Sequence, residues 1–264
     1  MNSIKSIGPC LESLRSAGVG EIIVVDAHSS DGTRAAAGRL ADVVLEDPGI
    51  GLGTARNLGI ARTSLPLILN FGSDNVITRE ALEGMVSVLV HSDLQGVSAR
   101  TMVDGDGYLA RSMNGWWSTR FRAGPASVIG TPSLFRGDLL RLDPFDTKRR
   151  HSDDSDLCER WTSAYGARFA ITDAVVLEIG KNEWSEVLLR CRNYGVSDYE
   201  VFSLGRQRGW SVARQAQSIL HPLRVDLIGP VSRMAPKDAV VAAPFLAAFA
   251  TMRYWYWASA ALRH

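Results

Sequence analysis

Carboxylates crowd the stretch DDSDLCERW at residues 153–161, which holds Asp153, Asp154 and Asp156. Like charges so close raise at least one pKa and cost stability unless a cation compensates, so the cluster suits proton transfer or cation binding. The plainer alternative is helix capping, in which Ser152 or Asp153 satisfies free amides at a helix start. Capping accounts well for one acid and poorly for three. Two more acids, Asp26 and Asp31, stand in EIIVVDAHSSDGT (21–33), where an apolar run meets a small-residue turn. Asp26 can accept a hydrogen bond from a ligand there, while Asp31, next to Gly32, suits a cap for the following helix as well as a ligand contact. Arg56 and Asn57 follow the glycines of GLGTARNLGIA. A guanidinium near helix N-terminal amides can meet a diphosphate. The alternative for Arg56 is a surface ion pair with Glu46 or Asp47.

These residues need elements to position them. Ile4, Ile7, Leu11 and Leu14 recur at helical spacing and Gly18 and Gly20 end that segment. EIIVV is a continuous β-branched run, as expected of a strand covered on both faces. GTRAAAGRLA then reads as helix, DVVLED as a short strand, GLGTARNLGIART as loop then helix, and LPLILNFGSDN as a second buried strand. REALEGMVSVLV is helical. Such alternation predicts an α/β fold with a mostly parallel sheet flanked by helices, whose ligands sit beyond the carboxyl ends of the strands. Asp26 and Asp74 both fall at those ends. Residues 100–150 are mixed, ending in a strand-like piece and a short helix. Residues 152–166 look helical, FAITDAVVLEIG is a strand, and NEWSEVLLRCRNYG is a helix closed by Gly195.

Composition sets the outer bounds. The chain has 264 residues, 46% of them hydrophobic and 22% charged, as in an ordinary globular protein. A net charge of +1 without a basic run argues against a nucleic-acid partner. Cys10, Cys158 and Cys191 lack metal-ligand spacing, and free thiols in a reducing cytoplasm are the simplest reading. The N-terminus has no apolar signal region. Residues 239–262 are apolar and aromatic but interrupted by Pro244 and Arg253, leaving runs shorter than the roughly 20 residues of a spanning helix. Tyr254, Trp255, Tyr256 and Trp257 suit a segment lying in a headgroup layer; a core helix or an oligomer-interface helix is the alternative.

Taken in order, EIIVVDAHSSDGT, GLGTARNLGIA and LILNFGSDN resemble the nucleotide-sugar half of glycosyltransferase family 2, whose fold is called GT-A. DPFD (143–146) is similar to the family's Gly-Phe-Asp turn, and DDSDLCERW to its Glu-Asp-x-Asp/Glu-Leu motif. The resemblance implies a GT-A domain over 1–225, with a nucleotide-sugar half at 1–98, an acceptor half at 99–225 and a C-terminal helical appendage at 226–264. It implies an inverting glycosyltransferase that uses a nucleotide-sugar donor and a glycan or lipid-linked acceptor, in the cytoplasm or on the inner face of the membrane. Asp154 takes the general-base position, with Asp153 in the preceding acidic position. Asp26, Asp31, Arg56, Asn57 and Ser73 fall to the donor. GSD (72–74) stands where the family carries Asp-x-Asp, so Asp74 would hold a divalent cation, Mg²⁺ or Mn²⁺, with Glu178 a further oxygen ligand. Arg160, Trp161, Tyr194 and the pair Trp116-Trp117 are candidate acceptor contacts.

Two departures stand out. Gly72 occupies the first acid's place. The chain also starts almost at the helix after the family's first strand, which would lie between EIIVV and LILNF. Losing that strand would leave two buried edges with unpaired amides. Either the true start lies upstream, or the sheet closes differently, or another segment fills the gap. The rivals are a sugar-nucleotide pyrophosphorylase, whose Gly-rich loop should follow the first strand rather than DVVLED, and a degenerate glycosyltransferase acting as a binding or scaffold subunit.

Overall fold

The computed structural model describes residues 1–147 and 153–263; His151, Ser152 and His264 lie outside them. The chain opens with α1 (Ile4–Ala17), whose inner face is Ile7, Cys10, Leu11, Leu14 and Ala17. Ile4, expected on that face, is exposed. The helix stops where Gly18 turns left-handed (φ 95°) and donates to the Arg15 carbonyl. β1 (Ile23–Asp26), α2 (Thr33–Leu40), β2 (Val43–Glu46), α3 (Leu52–Arg62) and β3 (Leu67–Asn70) follow as the alternation predicts. Next come β4 (Asn75–Val76), α4 (Arg79–Val90) and β5 (Gly96–Val103). The mixed stretch contains a helix that periodicity did not expose, α5 (Tyr108–Arg120). After it come β6 (Gly124–Ala126), β7 (Ser133–Arg136), α6 (Gly137–Leu142), α7 (Asp153–Tyr165) and β8 (Phe169–Glu178). The rest is helical: α8 (Trp184–Gln207), α9 (Val212–Ile219), a π-helical turn (Leu223–Ile228), α10 (Gly229–Arg233) and α11 (Pro236–Ala261).

The α/β class holds, but its parallel character is narrower than expected. β1 pairs in parallel with β2 in a two-stranded sheet. A separate six-stranded sheet runs β3-β7-β5-β8-β4, with β6 on β8. Its pairs β3–β7, β5–β7, β4–β8 and β6–β8 are antiparallel. The physical reason is that no strand among the described residues joins β1 to β3, so the parallel part stops at two strands.

Two compact units emerge: Met1–Thr101 with Arg122–Ile179, and Met102–Phe121 with Gly180–His264. This differs from a boundary at 225/226, because α5 and α8 pack with α11 in the second unit. Trp116, Trp117, Val187, Phe245, Leu246 and Phe249 are among the buried residues of its core. The first unit has one core under α1 and α4 and another around Phe135, Phe145, Leu157 and Trp161.

The helix expected to close at Gly195 instead runs through it. Gly195 is where α11 comes closest: a Cβ there would stand 2.4 Å from the Arg253 carbonyl oxygen and 2.8 Å from Tyr256 Cβ. The glycine therefore serves helix packing rather than termination. α11 also continues through Pro244, and the aromatics after it do not share one open face. Trp257 packs on Tyr199 and Phe202, Tyr254 donates to the Ile219 carbonyl, and Trp255 is left 66% exposed. Arg253 is buried, held by Asp198 (2.6 and 2.8 Å) and Asp226 (2.6 Å). Among the described residues no helix is long and apolar enough to cross a membrane.

Replacing Gly195 by valine should cost at least about 1–3 kcal/mol through overpacking. The check is a lowered urea midpoint with an unchanged slope.

Candidate active site

The expected acids and Arg56 meet in the first unit. Asp26 ends β1, is buried, and accepts from the Ser29 amide at 3.0 Å. The turn after β3 carries Ser73 and Asp74. Ser73 Oγ lies 2.9 Å from Ser3 Oγ, fixing that turn to the start of α1. Asp26, Arg56, Ser73 and Asp74 all line one cavity of about 710 Å³.

Arg56 joins this cavity to the acidic cluster. Its Nη1 donates to Asp153 Oδ2 at 2.5 Å and Asp154 Oδ1 at 2.9 Å, and its Nη2 to Thr131 Oγ1 at 2.7 Å. The guanidinium lies over the Phe145 ring, 4.8 Å from its centroid. Neither Glu46 nor Asp47 takes part: Glu46 pairs with Arg34 at 2.7 Å, and Asp47 accepts from the Gly49 amide. Burial pushes the Asp154 carboxyl up to about 6, against the pull of Arg56 and with the Asp153 charge adding to the rise. A carboxylate so poised takes up a proton near neutral pH more readily than an exposed one.

α3 can bring Arg56 this close because Gly53 has no side chain. A Cβ there would be 2.9 Å from the Asp146 carbonyl oxygen. Asn57 clamps the same turn: its Nδ2 donates to the Phe145 carbonyl at 2.8 Å, and the Phe145 amide donates to its Oδ1 at 3.1 Å. Asn57, expected on the donor, is thus engaged with backbone. Asp31 is engaged likewise. It accepts from Thr33 Oγ1 (2.5 Å), the Thr33 amide (3.0 Å) and the Ile4 amide (3.1 Å). The Thr33 hydroxyl foremost holds its carboxyl below the usual range.

The acceptor candidates turn inward. Trp161 is fully buried, edge-on to Phe135 and stacked with Phe169, and donates to the Asp143 carbonyl at 2.9 Å. It cannot offer a face to a sugar. Arg160 donates to Asp156 at 2.8 Å, to the Pro144 carbonyl at 2.7 Å and to the Asp143 carboxylate, bracing the DPFD turn. Tyr194, in the second unit, lies edge-on to Phe249 and under Arg253. Trp116 and Trp117 are buried in that unit's core. Two residues missed in the sequence belong to the site. Thr131 accepts from Arg56 and also from Asn70 Nδ2 at 3.1 Å, tying β3 to the acidic cluster. Thr131 lies 75 residues from Arg56, and no local pattern marks it.

The metal expectation can be tested sterically. A Cβ at Gly72 would fall 2.6 Å from Asn75 Oδ1 and 2.9 Å from Asp74 Oδ1, so an acid at 72 would require both side-chain ends to move. Asn75 Oδ1 instead accepts from the Gly72 amide at 3.0 Å. Among the described residues no group of three or more His, Cys, Asp or Glu is arranged to hold a metal ion. Asp74 and Glu178 do lie on neighbouring backbone: Asn75 registers with Glu178, and the Ile179 amide donates to the Asp74 carbonyl at 2.8 Å. Asp74 lines the cavity and Glu178 does not; a hard oxygen donor such as Asp74 suits a divalent cation whose remaining ligands are diphosphate oxygens and water.

Comparison with known proteins identifies the family and the fold. The family model "Glycosyl transferase family 2" matches residues 1–145. No curated protein matches. Among solved structures, the mannosyltransferase PcManGT from Pyrobaculum calidifontis, in complex with GDP-Man and Mn²⁺, is 19% identical with a TM-score of 0.60, covering 98% of this chain and 83% of that one. Staphylococcus aureus TarS 1–349, in complex with UDP-GlcNAc, is 15% identical with a TM-score of 0.52, covering 97% and 86%. At such identities the likeness shows the fold, which is GT-A.

Removing the shared cation, as in Arg56→Met, leaves two covered carboxylates unpaired and should cost about 3–5 kcal/mol. With Arg56 no longer holding the Asp154 carboxyl down, the loss is greatest at neutral pH and shrinks as pH falls and that carboxyl protonates. Urea unfolding of both proteins at pH 5 and pH 8 checks the sign.

Proposed function

Because the chain belongs to glycosyltransferase family 2, we propose that it transfers a sugar, with inversion, from a nucleoside-diphosphate donor to a hydroxyl of a glycan or lipid-linked acceptor. The observation that carries this reading is the contiguity of the Arg56–Asp153–Asp154 cluster with the cavity lined by Asp26, Ser73 and Asp74.

Asp154 is the base. The acceptor oxygen attacks the anomeric carbon and its proton passes to Asp154 Oδ2. The bond to the diphosphate breaks, and the nucleoside diphosphate leaves with the bonding electrons. Arg56 engages the other oxygen of Asp154 and so fixes which one faces the acceptor. Asp153 shares that guanidinium and acts by positioning. Asp26 is the hydrogen-bond acceptor for the nucleoside at the cavity's edge, and Ser73 orients the turn beneath the diphosphate. Asp74 would hold the cation, Mg²⁺ or Mn²⁺, which supplies charge neutralisation for the leaving diphosphate.

One observation favours a second reading. With glycine at 72 in place of an acid and no three-ligand group among the described residues, a chain that binds the donor without turning it over is the alternative. Calorimetry with UDP- and GDP-sugars, with and without Mn²⁺, separates the two: donor hydrolysis supports the enzyme, and silent binding supports the scaffold.

Asp154→Asn should lower kcat by about 10²–10⁴-fold, the usual share of a general base, while donor affinity stays nearly unchanged. Equal loss of both would overturn the base assignment. In the unaltered protein, kcat/KM should fall as pH drops through about 6, because the base is then protonated. Asp74→Ala should abolish the dependence of donor affinity on Mn²⁺, read by the same calorimetry.

A further inference from the structure

No residue of α9 is buried, yet the helix has a clear apolar side. Val212, Ala216 and Ile219 recur at helical spacing, with Ala213 and the capping residue Leu220 beside them. Together they form a stripe about 120° wide. All five are exposed, Val212 by 83%. The half-buried residues of the helix are polar, Gln215 and Ser218. A surface helix ordinarily turns its apolar stripe to the core, and α9 does the reverse.

This orientation is built in. Gly209 turns left-handed (φ 77°) after α8, and Trp210 folds back so closely that a Cβ at Gly205 would stand 2.3 Å from its ring. The Arg214 guanidinium covers the ring, 4.6 Å from a centroid, and Gln215 Nε2 donates to the Trp210 carbonyl at 2.9 Å. Ser211 Oγ caps the helix by accepting from the Arg214 amide at 3.3 Å. At the other end the Ile219 carbonyl accepts from the Tyr254 hydroxyl at 2.6 Å. Polar contacts thus hold the helix while its aliphatic side faces outward.

Charge narrows what that side can meet. Residues 201–225 carry Arg206, Arg208, Arg214 and Arg224 and neither Asp nor Glu. Arg206 and Arg208 precede the helix, Arg224 follows it, and all three are exposed. The whole chain carries only +1, so the excess is local. A second copy would bring the same arginines together across a two-fold contact, which their charges oppose. A nucleic acid would meet the arginines but leave Val212, Ile219 and Leu220 without apolar cover. An anionic lipid surface takes both parts. The aliphatic side chains enter the boundary between headgroups and acyl chains, and the arginines meet headgroup phosphates.

We propose that α9, with the arginines at its two ends, is the surface by which this protein rests on an anionic lipid bilayer. The contact is peripheral, because among the described residues no helix is long and apolar enough to cross a membrane. The sequence points to the aromatic run 254–257 for such a contact. In the fold Trp257 is taken up by Tyr199 and Phe202, and Tyr254 instead fixes the end of α9. The inference rests on the second unit alone and needs no property of the active site.

Flotation of the full chain with vesicles tests it. The protein should bind vesicles of equal parts phosphatidylcholine and phosphatidylglycerol at least about tenfold more tightly than phosphatidylcholine alone, and less tightly as salt rises. Arg206→Gln and Arg208→Gln should each weaken binding about fivefold. Val212→Ser with Leu220→Ser should weaken it about tenfold or more, whereas Val212→Leu should preserve it. These side chains are exposed, so melting temperatures should not change. Absence of binding overturns the proposal, as does binding indifferent to either set of substitutions. Equal binding to both vesicle types leaves the arginines without a role and overturns the anionic partner. A vesicle-free dimer dispersed by Val212→Ser with Leu220→Ser assigns the face to a second copy and overturns it as well.

Discussion

Two carboxylates cannot sit side by side under cover without a cation between them, and Arg56 is that cation. Much of the first unit can be understood as what it takes to deliver this guanidinium. It leaves α3, crosses to the start of α7, and lies on Phe145. Gly53 lets the helix approach the 143–146 turn and Asn57 locks onto that turn's backbone. Thr131 receives the second guanidinium nitrogen and passes the connection to Asn70 on β3. The acidic cluster, the turn before it and β3 are thereby tied to one side chain.

The same solution recurs. Arg160 bridges Asp156 and Asp143 across the opposite side of the 143–146 turn. In the second unit, buried Arg253 joins Asp198 to Asp226, which lies on the π-helical turn. Each arginine meets two aspartates at once, Arg56 through Nη1 alone, and Arg160 and Arg253 through different nitrogens of the planar fork. Such networks specify an arrangement more than they stabilise it, because covering the charges costs much of what their pairing returns.

Local patterns made much of this legible in advance. The periodicity of Ile7, Leu11 and Leu14 located α1, and the EIIVV and LPLILN runs located β1 and β3. The acids at their ends could be assigned to one edge. Charge crowding singled out residues 153–156 before any contact was known. What stayed hidden depended on partners far away in the chain. An arginine in a helix does not announce whether it will meet phosphate or carboxylate. Trp161 and Tyr194 look like sugar-stacking residues until their neighbours are seen. Gly195 has the composition of a stop signal, yet its role comes from α11, some sixty positions on. α5 escaped because Trp116 and Trp117, adjacent and both buried, blur the single-face periodicity by which a helix is recognised.

Gly72 carries a consequence for how this turn could change. The volume that a side chain at 72 would need is filled by the amide of Asn75 and the carboxylate of Asp74. An aspartate introduced there alone would push aside the ends of both side chains, and with them the Asn75 oxygen that accepts from the Gly72 amide. The cost of a second acid at 72 therefore falls on the bond between Asn75 and the Gly72 amide, and trimming Asn75 would lower it.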